Sequence, residues 1–298
     1  MAAAVTPPAA PPPRVFALAV VIAALVFLAA IAVDRVMLPA GLRAVRLQEA
    51  PPGAVRVVAL GTSKLRSAVA FDADIARRLG PASPLRFHRV TWPSAGLGEM
   101  EPALQALLRS PPALLLLESD LLVFDRSPQA TWPAPLQHQA AMSRLPRNLL
   151  GLVTGRVSAH GNDGVDTWPA AAVCAWQKSP ARLAAYARQA EELPLVSAAR
   201  LEAYLHYLQA LRRAGTRVVL LDLGRSPAAM AVFPAAREAA AAVRRRQLRE
   251  AGLESWAPAP LPPEAAWCDQ GHMTAAGQRQ FSDWLATALH VWGAALHE

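Results

Sequence analysis

The chain has 298 residues, 53% of them hydrophobic, and a formal net charge of +8. That length and apolar content exclude a disordered protein and leave room for one large domain with appendages. The charge is carried by arginines spread along the chain, with Lys64 and Lys178 the only lysines and no interleaved aromatic residues, which excludes a nucleic-acid-binding stripe while remaining compatible with an anionic membrane surface or glycan.

Residues 1–14 are rich in proline and alanine and read as a disordered tail. The next 19, residues 15–33, carry no charge, and at 1.5 Å per residue they would span roughly 28 Å of bilayer as a helix. They read as a single transmembrane signal anchor, the run being longer than the apolar core of a cleavable signal peptide. Basic residues flank it on both sides, Arg14 before and Arg35, Arg43 and Arg46 after, so charge alone does not orient it. Residues 34–53, punctuated by Pro39, Gly41, Pro51, Pro52 and Gly53, form a linker.

The remaining residues, 54–298, form the main domain. Four apolar runs at 55–60, 85–90, 113–119 and 217–223 predict buried strands. Helical patterns intervene, notably at 65–79, 181–189 and 198–214, while 125–215 is otherwise the least regular stretch. Strands separated by helices imply parallel crossovers, hence a three-layer α/β/α sandwich with functional groups at the carboxyl ends of the strands.

Ser63 follows the first predicted strand directly and precedes a helix, which suits either a nucleophile or an N-cap. Near the other end of the chain, Asp269 stands three residues before His272, just ahead of a helix that a threonine would cap. A turn carrying both lets the carboxylate hold one imidazole nitrogen while the other takes a serine proton. His88, His138, His160 and His206 have no metal-site spacing, and neither a metal nor a cofactor is expected. The run 244–246 reads as a solvated helix face. The only two cysteines, Cys174 and Cys268, form either a disulfide in an oxidising compartment or two buried thiols. A disulfide would brace the loop carrying Asp269.

Gly61-Thr62-Ser63 after the first strand, together with Asp269-x-x-His272-Met273-Thr274-x-x-Gly277 before the last helix, resembles the SGNH (GDSL-like) hydrolase superfamily. The resemblance implies a flavodoxin-like sheet, with Ser63 attacking an ester carbonyl, His272 as general base and then acid, and Asp269 orienting it. Thr62 stands where the family usually has aspartate. Ser63 and Gly96, the latter in the family's second block, are the implied oxyanion donors. The third block, Gly-x-Asn-Asp after the third strand, is replaced by Glu118-Ser119-Asp120, and Asn162 in "HGNDG" follows no strand. Lys64, Arg66 and Arg225 are placed to touch an anionic substrate, although solvated positions explain them as simply.

An anchor combined with a Gly-Thr-Ser block looks like the membrane-associated esterases and O-acyltransferases of exopolysaccharide modification. The resemblance thus implies a single-pass protein of the bacterial inner membrane, its large domain in the periplasm, acting on an acylated polysaccharide beside a multi-spanning membrane O-acyltransferase. The missing third block supports a second expectation, a catalytically inactive glycan-binding or assembly component of the same fold.

Overall fold

The computed structural model describes residues 53–91, 96–125 and 171–296, with 20–22 and 25 in helical conformation. The tail, the rest of the 15–33 anchor, residues 34–52 of the linker, His138, His160 and Asn162 lie outside the described residues. Among the described residues, no helix is long and apolar enough to cross a membrane.

Five parallel strands, β1 (Val55–Gly61), β2 (Leu85–Thr91), β3 (Leu114–Glu118), β4 (Arg217–Leu221) and β5 (Glu254–Trp256), form one sheet in the order β2-β1-β3-β4-β5. This is the doubly wound order of flavodoxin-type sheets. Val57 to Leu60 and Leu114 to Leu117 are entirely buried, as expected when helices cover both faces of a parallel sheet.

Successive side chains along each strand feed two separate cores. Val58, Leu60, Leu115 and Leu117 pack with Met100 and Leu104 of α3 (Leu97–Arg109), Leu208 of α7 (Ala198–Arg213) and Leu248 of α9 (Ala235–Glu250). Val57, Ala59, Leu114 and Leu116 face the opposite layer, with Leu65 of α1 (Ser63–Ala68), Ile75 of α2 (Asp72–Leu79), and Phe281, Leu285 and Leu289 of α10 (Ala275–Ala294). Helices α4 (Asp120–Val123), α5 (Ala171–Gln177), α6 (Pro180–Glu192) and α8 (Pro227–Val232) and a 3-10 turn at Glu264–Ala266 complete the described elements.

The single helix expected over 65–79 is two helices, broken at Val69, whose backbone is extended (φ −112°, ψ 128°). The break is stabilised from other parts of the chain. Arg89 of β2, 1% exposed, donates its guanidinium to the carbonyls of Arg66 and Val69 and lies 4.7 Å from the Phe71 ring. Gln278 of α10 donates to the same two carbonyls at 3.1 and 3.3 Å, and Ser282 accepts from the Ala70 N–H at 2.9 Å. Backbone groups released from helical bonding are thus paired in the interior, where leaving them unpaired is costly.

Two further departures have simple causes. β5 escapes a sequence reading because it is a three-residue edge strand without a fully buried side chain. In the arginine run, Arg244 donates to the Val196 carbonyl at 2.8 Å and Arg245 pairs with Glu238, so only Arg246 is an exposed, solvated residue.

Candidate active site

The strand order changes direction between β1 and β3, and ligands of doubly wound sheets bind outside the carboxyl ends of the strands at such a switch point. There β1 passes into α1 through Gly61 and Thr62. The Thr62 N–H donates to Glu118 Oε2 at 2.7 Å, and the Thr62 hydroxyl reaches the same carboxylate at 2.9 and 3.0 Å. Glu118, the last residue of β3, is 1% exposed, so this junction is pinned to the neighbouring strand from inside. Gly61 has no room for a side chain: a Cβ would lie 2.7 Å from both Glu118 Oε2 and Leu65 Cβ.

Thr62 is also the N-cap of α1, its hydroxyl oxygen accepting from the Lys64 N–H at 3.2 Å. The capping position therefore falls on Thr62, and Ser63 occupies the first turn with its hydroxyl directed elsewhere. Ser63 Oγ lies 2.9 Å from His272 Nε2, across 209 positions of sequence.

His272 sits on a tight loop closed by an antiparallel bridge between Trp267 and Met273 and by the Cys268 N–H donating to the His272 carbonyl at 2.8 Å. Fully buried Trp267 anchors the loop, its indole N–H donating to the Pro262 carbonyl. Thr274 then caps α10 by accepting from the Gly277 N–H, and a Cβ at Gly277 would come within 2.0 Å of the Ala266 carbonyl oxygen. The Met273 N–H donates to Ser67 Oγ at 3.2 Å, tying this loop to α1.

Asp269 completes the arrangement. Its Oδ2 lies 2.7 Å from His272 Nδ1, while its Oδ1 accepts the N–H groups of Gly271 (2.8 Å) and His272 (2.7 Å). Burial pushes the Asp269 carboxyl upward, but the hydrogen bond and charge of the His272 ring and the two backbone N–H donors outweigh it and hold the group below the usual carboxylate range. An ionised Asp269 retains the proton on Nδ1, leaving the Nε2 lone pair toward the serine hydroxyl.

The other sequence candidates take different positions. Lys64 and Arg225 are 6% and 8% exposed and turn inward onto Asp120, which corrects the solvated reading for them. Lys64 Nζ is 2.6 Å from Asp120 Oδ2; Arg225 Nη2 is 3.6 Å from Asp120 Oδ1 and Nη1 is 3.5 Å from Glu238. The Arg225 guanidinium also lies 4.2 Å from the Phe233 ring centroid. Burial alone would lower its pKa, but Asp120, Tyr186 and Glu238 raise it above the ordinary value. Arg66 is half-buried, its carbonyl engaged at the α1–α2 break. Gly96 is buried at the foot of α3, five residues beyond Thr91, which pairs in register with Gly61. Cys174 of α5 and Cys268 are joined in a disulfide.

Asp120 and Glu118 are the residues a sequence reading undervalues, since they register there only as replacements for an amide. Their signal is their position: one acid ends a wholly buried strand and the other opens α4 two residues later, so both require partners at that edge, and Thr62, Lys64 and Arg225 supply them. A cleft of about 510 Å³ lies at the other end of the sheet, lined by Arg217, Trp256, Trp284 and Val291 among others; it contains none of these groups. Among the described residues, no cluster of His, Cys, Asp or Glu is arranged to hold a metal ion.

No family model matches the sequence, and no curated protein matches it. Among solved structures the chain is similar to the extracellular lipase of Streptomyces rimosus, with 17% identity and a TM-score of 0.33 over 79% of this chain and 99% of that one.

Proposed function

We propose that the protein is a serine-dependent acyl-ester enzyme of SGNH type, a hydrolase or O-acyltransferase. The observation carrying this reading is the continuous hydrogen-bonded path Ser63–His272–Asp269, with separations of 2.9 and 2.7 Å. In the reaction, His272 Nε2 accepts the Ser63 proton as Oγ bonds to the ester carbonyl carbon. The resulting imidazolium is stabilised by Asp269 and returns that proton to the departing alcohol as its C–O bond breaks, leaving acyl-Ser63. A second hydroxylic acceptor then gives its proton to His272 and attacks the acyl carbon, and His272 returns that proton to Ser63 Oγ as the acyl–Oγ bond breaks. Water as acceptor gives hydrolysis; a sugar hydroxyl gives transfer. The N–H groups of Ser63 and Gly96 are the proposed oxyanion donors.

The apolar segment 15–33 supports placing this chemistry at a membrane, the Cys174–Cys268 disulfide supports a main domain outside the cytoplasm of a bacterium, and the proposed substrate is an acylated polysaccharide. A multi-spanning membrane O-acyltransferase is the proposed source of acyl groups. The replacement of the amide block by Glu118-Ser119-Asp120 favours one rival, a glycan-binding component without turnover.

Treating the full chain with a serine-directed fluorophosphonate separates the two. The expected outcome is a single adduct on Ser63, accompanied by hydrolysis of a chromogenic acetyl ester, with both absent in Ser63→Ala. Polysaccharide binding by a chain that neither labels nor turns over the ester would establish the rival.

A further inference from the structure

We infer that Asp120 is a positioning residue for the Ser63–His272 pair, acting through Lys64 and Arg225; this rests on the catalytic reading above. Ser63 and His272 belong to parts of the chain separated by 209 positions, and proton transfer between them requires their relative placement to hold within a fraction of an ångström. Asp120, the first residue of α4 and two positions beyond β3, contacts Lys64 beside the nucleophile and Arg225, whose neighbour Ser226 reaches the histidine loop.

On one side it takes the ammonium of Lys64, the residue after the nucleophile, at 2.6 Å. The lysine stem lies against the histidine loop: a Cβ on Gly271 would come within 2.6 Å of Lys64 Cε. On the other side Asp120 faces Arg225, and the next residue, Ser226, donates its N–H to the Gln270 carbonyl at 3.2 Å. Both routes from Asp120 therefore end on Gln270 and Gly271, the two residues between Asp269 and His272. The spacer of the Asp-x-x-His motif is thus met by the Lys64 stem at Gly271 and by the Ser226 N–H at Gln270, and Asp120 holds Lys64 and the neighbour of Ser226, Arg225.

Thermodynamics alone does not account for such an arrangement. Buried ion pairs are commonly no more stabilising than neutral side chains of similar shape, whereas displacing reacting groups by about 1 Å costs on the order of 10²-fold in rate. The dominant effect expected of the network is therefore on turnover.

The test compares the full chain with Asp120→Asn and with Lys64→Met/Asp120→Asn, the latter removing one cation together with the anion so that the buried net charge is unchanged. Three quantities are read: thermal stability, kcat and KM for a chromogenic acetyl ester, and the downfield NMR resonance of the His272 Nδ1 proton. The expected result for the folded double variant is a kcat lower by ~10–100-fold, a KM within about twofold of the parent, and a shifted or broadened resonance. Unchanged kcat in a folded variant overturns the inference, as does a loss of activity that only tracks the unfolded fraction. Unfolding of both variants also overturns it, because the network would then be a stability device. If the parent neither turns over the ester nor labels at Ser63, the catalytic reading fails; the resonance then decides alone, with its persistence in the double variant overturning the positioning role.

Discussion

Asp269 holds its single contact to the His272 ring while its other oxygen is occupied by two backbone donors. Asp269→Asn would place an amide against Nδ1 and favour the tautomer with its proton on Nε2, unable to receive the serine proton. The expected outcome is a fall in kcat on the order of 10⁴, measured by steady-state ester hydrolysis, with little change in KM. The same carboxyl predicts a pH effect. Because its folded pKa is depressed, its contribution to stability is complete above its unfolded value of about 3.9 and disappears as pH falls through the lower, folded value. The difference in melting temperature between parent and Asp269→Asn should therefore be constant near neutrality and close below about pH 4. The pieces of this site are legible in sequence because Ser63, Asp269 and His272 stand beside structural punctuation that limits where they can lie. Lys64 and Arg225 are not legible in that way. A charged side chain at a strand end reads as solvent-facing until the buried carboxylate that turns it inward is seen.

Among the elements, the four long strands are readable almost to the residue: β1, β3 and β4 are near-continuous apolar runs because both faces of the sheet are covered, and edge strand β2 alternates apolar with polar side chains. The break between α1 and α2 is not readable from 65–79, since no proline or glycine interrupts that stretch and the groups that stabilise it, Arg89, Gln278 and Ser282, belong to β2 and α10. Helix propensity is overridden there by tertiary hydrogen bonding. The loop before α10 makes a sharper demand on sequence. At Gly277 a methyl group would meet a backbone oxygen at 2.0 Å, and no flexible side chain can yield to it. Gly277→Ala should destabilise the protein by at least the ~1–3 kcal/mol typical of overpacking, as measured by urea denaturation. It should also reduce Ser63 labelling, because the shift required begins three residues from Thr274 and passes into the His272 loop.

At the level of the whole molecule, the Cys174–Cys268 disulfide fastens α5 to the loop that bears the acid and base, closing a span of 94 positions. Chain-entropy arguments give such a closure at most about 4–5 kcal/mol. Two measurements check its effect. A thiol count on the unreduced protein should find none free, and reduction should lower the melting temperature and weaken ester turnover together, since the tethered residue adjoins Asp269. The parallel sheet has a consequence of a different kind, arising from the order in which its edge is assembled. Ser63 opens α1 directly after the first strand and His272 lies in the turn before α10, so synthesis from the amino end delivers Ser63 roughly two hundred residues ahead of His272. A growing polypeptide thus carries Ser63 without its histidine partner throughout. Under the proposed function, acyl chemistry begins only once the His272 loop and α10 have seated, so completion of folding is the event that arms the protein.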